Sequence, residues 1–362
     1  MSVTEDRIFI KKAIRLAAYG AGHVSPNPMV GAIIVKNGRI IGSGYHRKYG
    51  GPHAEVNALE SAAEPVAGAT LYCNLEPCSH TDKQTPPCVP SIIRAGVRRV
   101  VVANIDPNPG VNGKGIAALR KAGVQVESGV EEEKGRELNR FFFKFITEKQ
   151  PYVTIKYAQT IDGFIARSRD RQDWISGNLA QKRVHQLRAR YDAVLIGGQT
   201  LRVDNPQLTV RQSRGRDPLR IILSSSLALD PSHAVFHHHE PGNTWIITTE
   251  TAGREAMKRL AGLGCRIIPL KSGNTKRVAI GDLLHVLADQ KIISLLVEGG
   301  REVISAFLHA GLVDELKIIQ APRLWGKGFR AFPDTFEPST RMFTLQRTER
   351  MESDILLTYR SL

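Results

Sequence analysis

The hydrophobic pattern of the first 150 residues alternates between helical spacing and short apolar runs. Apolar positions over residues 4–20 predict an amphipathic helix. Met29 to Val35 is typical of a buried strand, and Asn37-Gly38 predicts a hairpin turn into a partner strand over 39–44. Further predicted elements are a helix that begins near His53, strands over 69–75, 97–103 and 124–127, and helices over 90–95, 115–122 and 131–145. Their alternation predicts an α/β sandwich.

The same alternation restarts after residues 148–151, which we interpret as a linker. It predicts a turn over 160–163, helices over 177–190 and 301–310, and strands over 152–156, 193–198, 219–223, 244–248 and 292–297. A chain of 362 residues is too long for one ordinary core, so we expect two α/β domains, 1–147 and 152–362. The second domain lacks a G-x-G-x-x-G fingerprint, and the sequence therefore does not support a Rossmann fold.

Composition narrows the class of protein. The chain is 42% hydrophobic and 23% charged, as in ordinary globular proteins. Its net charge of +15 is spread over both halves, with 20 basic against 14 acidic residues in 1–150 and 30 against 21 in 151–362. Spread charge indicates attraction of small anions more than a nucleic-acid stripe. Charges run through the first 20 residues, so we expect no signal peptide, no membrane partner and a cytoplasmic protein.

Three potential metal ligands and one carboxylate stand close together in the first half. His53 precedes Glu55 by two residues, and Cys78 and Cys88 follow beside prolines. Three protein ligands leave a fourth zinc position open for water, whose pKa zinc lowers to roughly 7. Glu55 would then carry protons. We place both cysteines near helix starts, where thiolates are stabilised, and interpret Cys73 and Cys265 as buried small hydrophobes.

This arrangement matches the zinc deaminase signature, in which a glutamate next to the histidine shuttles protons. One alternative is a nucleic-acid deaminase with a C-terminal binding module. It would need a short Cys-x-x-Cys and an aromatic platform, whereas nine residues separate Cys78 from Cys88 and aromatics are 6% of the chain. A second alternative is a non-catalytic, zinc-stabilised interaction protein, which has no use for Glu55. A closed structural zinc site needs a fourth ligand, for which His80 is the nearby candidate.

Several motifs together resemble the bifunctional riboflavin-biosynthesis deaminase/reductase family over nearly the whole chain. They are Ser25-Pro26-Asn27-Pro28-Met29-Val30-Gly31, Gly51-Pro52-His53-Ala54-Glu55, Glu76-Pro77-Cys78-Ser79-His80, Thr85-Pro86-Pro87-Cys88, Asp106-Pro107-Asn108-Pro109, Lys156-Tyr157-Ala158, Asp162-Gly163, Trp174-Ile175-Ser176, Asp204-Asn205-Pro206 and Val297-Glu298-Gly299-Gly300. The resemblance implies a cytidine-deaminase-like three-layer α/β/α domain followed by a dihydrofolate-reductase-like α/β domain. The first would deaminate a diaminopyrimidinone ribosylamino phosphate with zinc-activated water. The second would use NADPH to reduce the ribosyl group to a ribityl chain.

The resemblance also implies substrate contacts in the deaminase domain from Asn27, His46, His80 and a basic residue of the loop 79–87. That loop is one residue longer than the family pattern, and Gln84 stands where the base is expected. We therefore expect the neighbouring Lys83 to hold the substrate phosphate.

For the reductase domain, the resemblance implies an NADPH site and a substrate site, and a homodimer formed through this domain. The implied NADPH contacts are Ala158, Trp174, Thr200, Asp204, Ser225, Gly299 and Gly300, and the implied substrate contacts are Lys156, Arg188, Leu208, Arg211 and Glu298. The glycine pair opens a helix whose N–H groups suit a phosphate. Arg188 and Arg211 would grip the ribose phosphate, and Lys156 and Glu298 would polarise or protonate the sugar carbonyl. Gln172 stands where the family has serine. Considered one at a time, Trp174 would be interpreted as a core residue, and Arg188 and Arg211 as surface residues.

Overall fold

The computed structural model describes residues 3–79, 86–237, 242–272, 277–332 and 342–362. The chain divides into two compact units, Met1–Lys149 and Gln150–Leu362. Across these described ranges, none of the helices has the length and apolar character needed to cross a membrane.

The first unit is built on a five-stranded sheet in the order β2-β1-β3-β4-β5. Its strands are β1 (Gly31–Lys36), β2 (Arg39–Tyr45), β3 (Thr70–Leu75), β4 (Arg99–Asn104) and β5 (Gln125–Ser128), and its helices are α1 (Val3–Ala17), α2 (Ala54–Glu60), α3 (Cys88–Arg94), α4 (Lys114–Lys121), α5 (Glu132–Leu138) and α6 (Arg140–Glu148). β1 and β2 pair antiparallel around Asn37 and Gly38, both with positive φ, which confirms the predicted hairpin. β3, β4 and β5 are parallel.

Apolar side chains cover both faces of this sheet and make a three-layer α/β/α unit, as expected. One face packs against α2, α3 and α4 through residues such as Ala58, Ile92 and Leu119. The other face packs against α1 through Phe9 and Ile10. These five side chains are almost fully excluded from solvent, so both layers contribute to the hydrophobic stabilisation.

The single helix predicted over 131–145 is wrong, because the structure breaks it at Asn139. The Asn139 side chain accepts the backbone N–H of Met29 at 2.8 Å and donates to the Met29 carbonyl at 2.9 Å. The Asn139 side chain, between α5 and α6, therefore holds the backbone of Met29, which lies two residues before β1.

The second unit contains a nine-stranded sheet in the order β11-β10-β9-β8-β12-β6-β13-β16-β15 and a small sheet of β7 with β14. Its strands are β6 (Tyr152–Thr160), β7 (Phe164–Ala166), β8 (Ala193–Gly197), β9 (Leu219–Leu223), β10 (Thr244–Thr249), β11 (Arg266–Leu270), β12 (Ser294–Val297), β13 (Glu315–Ala321), β14 (Phe329–Arg330), β15 (Phe343–Met351) and β16 (Asp354–Ser361). Its helices are α7 (Asn178–Arg188), α8 (Gly198–Asp204), α9 (Arg254–Ala261), α10 (Ile280–Asp289) and α11 (Arg301–His309).

The central strands β9, β8, β12 and β6 lie side by side and run parallel. Their carboxyl ends therefore meet at one edge of the sheet, which is where open α/β sheets bind ligands. The apolar patterns predicted these four strands but not α8, α9, α10, β7, β11 or the strands beyond α11. β6 also continues to Thr160, beyond the predicted end at Lys156.

Candidate active sites

His53, Cys78 and Cys88 form a compact cluster in the first unit. His53 Nδ1 lies 3.2 Å from Cys88 Sγ and 3.4 Å from Cys78 Sγ, and the two sulfurs are 3.7 Å apart. The three potential ligand atoms all lie within 4.8 Å of one another. One imidazole and two thiols at this separation are a donor set that suits Zn²⁺ with one position left open.

Loops at the ends of three elements bring these ligands together. His53 precedes the first turn of α2, and Cys88 is the first residue of α3. Cys78 itself lies in the loop after β3, and its proximity to a helix start, as predicted, comes from the fold and not from a position within the first turn of a helix. Its carbonyl accepts the N–H of Val89 at 3.2 Å, so Cys78 nevertheless packs beside the start of α3.

Glu55 lies in the first turn of α2 and is 3% exposed. Burial raises the pKa of its carboxyl to about 6; His53 opposes this increase and Cys78 adds to it. A carboxyl group with this pKa can both accept and release a proton near neutral pH. The predicted proton shuttle and the predicted ligands are therefore neighbours in the structure.

The two thiols interact closely. The hydrogen bond with Cys88, together with hydrogen bonding and charge from His53, lowers the pKa of Cys78 to about 4, although burial acts to raise it. The same hydrogen bond, together with burial, raises the pKa of Cys88. The cluster thus favours a thiolate at Cys78, and thiolate is the form in which a cysteine binds a metal ion.

Asn27 and His46 lie together beside the cluster. The His46 ring meets the His53 ring edge-on at 5.5 Å between centroids. His46 Nδ1 lies 3.0 Å from the Pro52 carbonyl, to which it can only donate, and so Nε2 accepts from the Asn27 amide at 3.3 Å. The structure thus brings these two predicted contacts together. His80 and Lys83 lie outside the described residues.

Glu76 is a buried carboxylate whose role the sequence did not indicate. Its two oxygens accept four backbone N–H groups at 2.9–3.2 Å, from Asp106, Gly113, Gly115 and Ile116. Glu76 thereby ties the segment 106–116 to the residues just before Cys78. The sequence contained one indication of this role: Glu76 stands directly before Pro77-Cys78, and the predicted zinc chemistry assigns it no function.

In the second unit, four predicted residues form a charged cluster beside the carboxyl end of β12 and the middle of β6. Arg188 donates from Nε and Nη2 to the two oxygens of Glu298 at 2.6 and 2.9 Å. Burial lowers the pKa of Lys156, which interacts with Glu298 and Asp204. Burial raises the pKa of Asp204 to about 6, with Lys156 opposing. Burial also acts to raise the pKa of Glu298, but Arg188 outweighs it and holds the carboxyl ionised.

The glycine pair after Glu298 leaves space for a ligand at the start of α11. Gly299 has φ 131°, and a Cβ added there would contact nothing within 4 Å. A Cβ on Gly300 would lie 2.8 Å from Thr200 Oγ1, so this backbone approaches α8 closely. Ser225 follows β9 at the same edge. Free space before a helix start fits the phosphates of a dinucleotide such as NADPH.

The remaining predicted residues differ in exposure. Trp174 is 61% exposed in the loop before α7, so the core interpretation is wrong. Leu208 is buried with φ 58°. Arg188 is buried and engaged with Glu298, whereas Arg211 is exposed. Ala158 is half-buried and lies two residues after Lys156 on β6, on the same face of the strand.

Taken together, these sites define a zinc deaminase fused to a reductase. The family model of the RibD C-terminal domain matches residues 151–357. The family model of the cytidine and deoxycytidylate deaminase zinc-binding region matches residues 3–104. The chain belongs to the RibD family of riboflavin biosynthesis proteins.

Individual relatives match over most of their length. The riboflavin biosynthesis protein RibD of Aquifex aeolicus is 43% identical over 89% of this chain and 88% of its own. The structure of Acinetobacter baumannii RibD superposes with a TM-score of 0.89 at 35% identity, covering 100% of both chains. A Thermotoga maritima structure, titled a diaminohydroxyphosphoribosylaminopyrimidine deaminase and 5-amino-6-(5-phosphoribosylamino)uracil reductase, gives 0.87 at 37% identity and covers 99% of both chains.

Proposed function

We propose that the chain catalyses two steps of riboflavin biosynthesis: hydrolytic deamination of a diaminopyrimidinone ribosylamino phosphate, then NADPH-dependent reduction of its ribosyl group. The observation that carries this proposal is the buried Glu55 beside the cluster of His53, Cys78 and Cys88. The similarity to the Thermotoga maritima enzyme supports the choice of substrate.

In the deaminase unit, His53, Cys78 and Cys88 would hold the metal ion. When bound, zinc supplies the Lewis acidity that brings the pKa of a water molecule close to neutrality. Glu55 takes one proton from the attacking water and delivers it to the ring nitrogen; it then takes the remaining hydroxyl proton and delivers it to the amino group, which leaves as ammonia when its C–N bond breaks. Its pKa of about 6 suits both transfers.

Asn27 and His46 bind and orient the pyrimidine in this proposal, because they are hydrogen bonded to each other and the His46 ring contacts the ring of His53. His80 and Lys83 complete the substrate contacts, with Lys83 on the phosphate. An unchanged deaminase KM in Lys83→Ala would contradict the role of Lys83.

In the reductase unit, NADPH would bind along the strand ends, with Ala158, Trp174, Thr200, Asp204, Ser225 and the glycine pair 299–300 as its contacts. When bound, it supplies the hydride. Reduction adds the hydride to one carbon and a proton to the heteroatom bonded to that carbon; Lys156 donates this proton, because its buried ammonium group has a lowered pKa. Arg188 keeps Glu298 ionised, and Glu298 orients the sugar together with Leu208. Arg211 is the exposed cation that holds the phosphate.

One assay tests both halves. The diaminopyrimidinone phosphate is supplied to zinc-loaded protein with and without NADPH, and ammonia release and NADPH oxidation are followed separately. We expect ammonia in both samples and NADPH oxidation to follow deamination. No ammonia would overturn the deaminase assignment, and ammonia without NADPH oxidation would overturn the reductase assignment.

The role of Glu55 is tested by Glu55→Gln, which keeps the shape of the side chain but removes its basicity. We expect deamination to fall by about 10²–10⁴-fold while zinc content and reductase activity stay unchanged. Glu60→Gln is the matched control, because Glu60 is exposed on the same helix. Retained deamination in Glu55→Gln would refute the proton-shuttle role of Glu55, whereas zinc-loaded wild-type protein that releases no ammonia would favour the zinc-stabilised interaction protein.

We also propose a homodimer formed through the reductase unit, a state that light scattering of the purified protein tests directly. The four cysteines are free thiols, which suits a reducing compartment such as the cytoplasm.

A further inference from the structure

The short segment from Thr209 to Arg211 is held by hydrogen bonds, two of which involve side chains from outside it. Arg188 Nη1 donates to the Thr209 carbonyl at 3.2 Å. The Val210 N–H donates to Asp217 Oδ1 at 2.6 Å. Arg211 itself donates from Nη1 to Thr209 Oγ1 at 2.9 Å. The backbone before Arg211 is therefore held in one conformation.

His185, on α7, completes this arrangement from a buried position. Its ring is 5% exposed, and Nδ1 accepts the backbone N–H of Arg211 at 3.2 Å, which places the ring proton on Nε2. Burial and the charges of Arg188 and Arg211 lower the pKa of His185, while hydrogen bonding with the Thr209 backbone and the charge of Glu298 oppose the shift. The lowered pKa favours the neutral ring, in which Nδ1 can accept a hydrogen bond.

We propose that His185 is a positioning residue for the phosphate of the reductase substrate, because it fixes the backbone from which the Arg211 side chain extends. This inference rests on the proposed function, in which Arg211 contacts that phosphate. Arg211 is long, so a small backbone rotation displaces its guanidinium by a much larger distance. A guanidinium binds phosphate through a rigid fork of donors, and binding is therefore sensitive to such displacement.

Two substitutions separate the acceptor from the bulk of the ring. His185→Phe keeps a ring but has no acceptor, and His185→Asn places an amide oxygen close to the Nδ1 position. We expect His185→Phe to raise the reductase KM for the phosphorylated substrate about tenfold, as for the loss of one positioning hydrogen bond, with kcat and the KM for NADPH unchanged. His185→Asn should restore the wild-type KM. His309→Phe, at an exposed site on α11, is the matched control.

The dephosphorylated substrate gives the discriminating measurement. With it, the wild-type enzyme and His185→Phe should have equal KM values, and adding His185→Phe to Arg211→Ala should raise KM no further. An unchanged KM for NADPH checks that the reductase unit of each variant is intact. The inference is overturned if His185→Phe leaves KM unchanged or raises it equally for both substrates. Should His185→Phe fail to fold, a raised KM in the folded His185→Asn variant also overturns it. An unchanged KM in Arg211→Ala would instead refute the proposed phosphate contact.

Discussion

Glu76→Gln is a near-isosteric change at the most heavily hydrogen-bonded carboxylate near the metal cluster. Glu76 Oε1 accepts two backbone N–H groups and Oε2 accepts two more, all at 2.9–3.2 Å. A glutamine has one oxygen and one NH₂ group. Either orientation of its amide therefore places a donor against two buried N–H donors, and two of the four hydrogen bonds are lost.

The size of the effect follows from these two bonds. An unpaired buried donor costs about 1–3 kcal/mol, so the two together lower the free energy of unfolding of the deaminase unit by about 2–6 kcal/mol. Domains are typically stable by only about 5–15 kcal/mol. We therefore expect zinc to be released at a much lower urea concentration than in the wild type.

A chromogenic chelator follows zinc release during urea titration, and NADPH oxidation in the same samples reports on the other unit. Glu133→Gln, at an exposed position of α5, is the matched control and should change the free energy of unfolding by less than about 0.5 kcal/mol. If Glu76→Gln behaves like this control, the four hydrogen bonds do not stabilise the metal site and the reasoning is refuted.

Three further predictions concern separate features. Arg99 donates two hydrogen bonds to Asp6 at 2.7 and 2.8 Å; these bonds hold the pKa of Asp6 below its usual value despite burial, which acts to raise it. The stability that Asp6 contributes is therefore present above its unfolded pKa of about 3.9 and is lost as pH falls through the folded value. In thermal unfolding measured from pH 7 to 2.5, the melting temperature should fall less in Asp6→Asn than in the wild type. Gly115→Ala should weaken zinc binding in a chelator titration, since its Cβ would lie 2.0 Å from a backbone carbonyl, whereas Gly281→Ala meets nothing within 4 Å and should raise the free energy of unfolding by about 0.5–1 kcal/mol. Lys156→Met should lower the kcat of NADPH oxidation by about 10²–10⁴-fold and leave ammonia release unchanged, with the exposed Lys182→Met as its control; equal loss in both variants would contradict a role in proton donation.

The sequence predicted features that depend on local patterns. Buried strands such as β3 and β4 are short apolar runs, and Asn37-Gly38 is a turn with a direct conformational cause. The His-x-Glu and Pro-Cys motifs predicted the metal cluster because zinc chemistry restricts the residue types. These features needed no knowledge of distant contacts.

Long-range partners account for most of what the sequence did not reveal. The break at Asn139 depends on a backbone 110 residues away in the chain, and the four partners of Glu76 lie 30–40 residues beyond it. β15 is mostly exposed and polar, so its conformation depends on pairing with β16 rather than on an apolar pattern. The ion pair between Arg188 and Glu298 likewise became visible only in the structure. It leaves Arg211 as the exposed arginine of the two.

The break at Asn139 also has a consequence for how the deaminase unit could be isolated. The match to the deaminase zinc-binding region ends at residue 104. Met29 lies two residues after Asn27, and the side-chain amide that binds its backbone belongs to Asn139. A chain cut soon after residue 104 would keep every predicted zinc ligand. It would lose the two hydrogen bonds that hold the backbone of Met29, close to Asn27. An excised deaminase therefore has to extend beyond Asn139 for these contacts to be held in place, and the next element to end after Asn139 is α6, at Glu148.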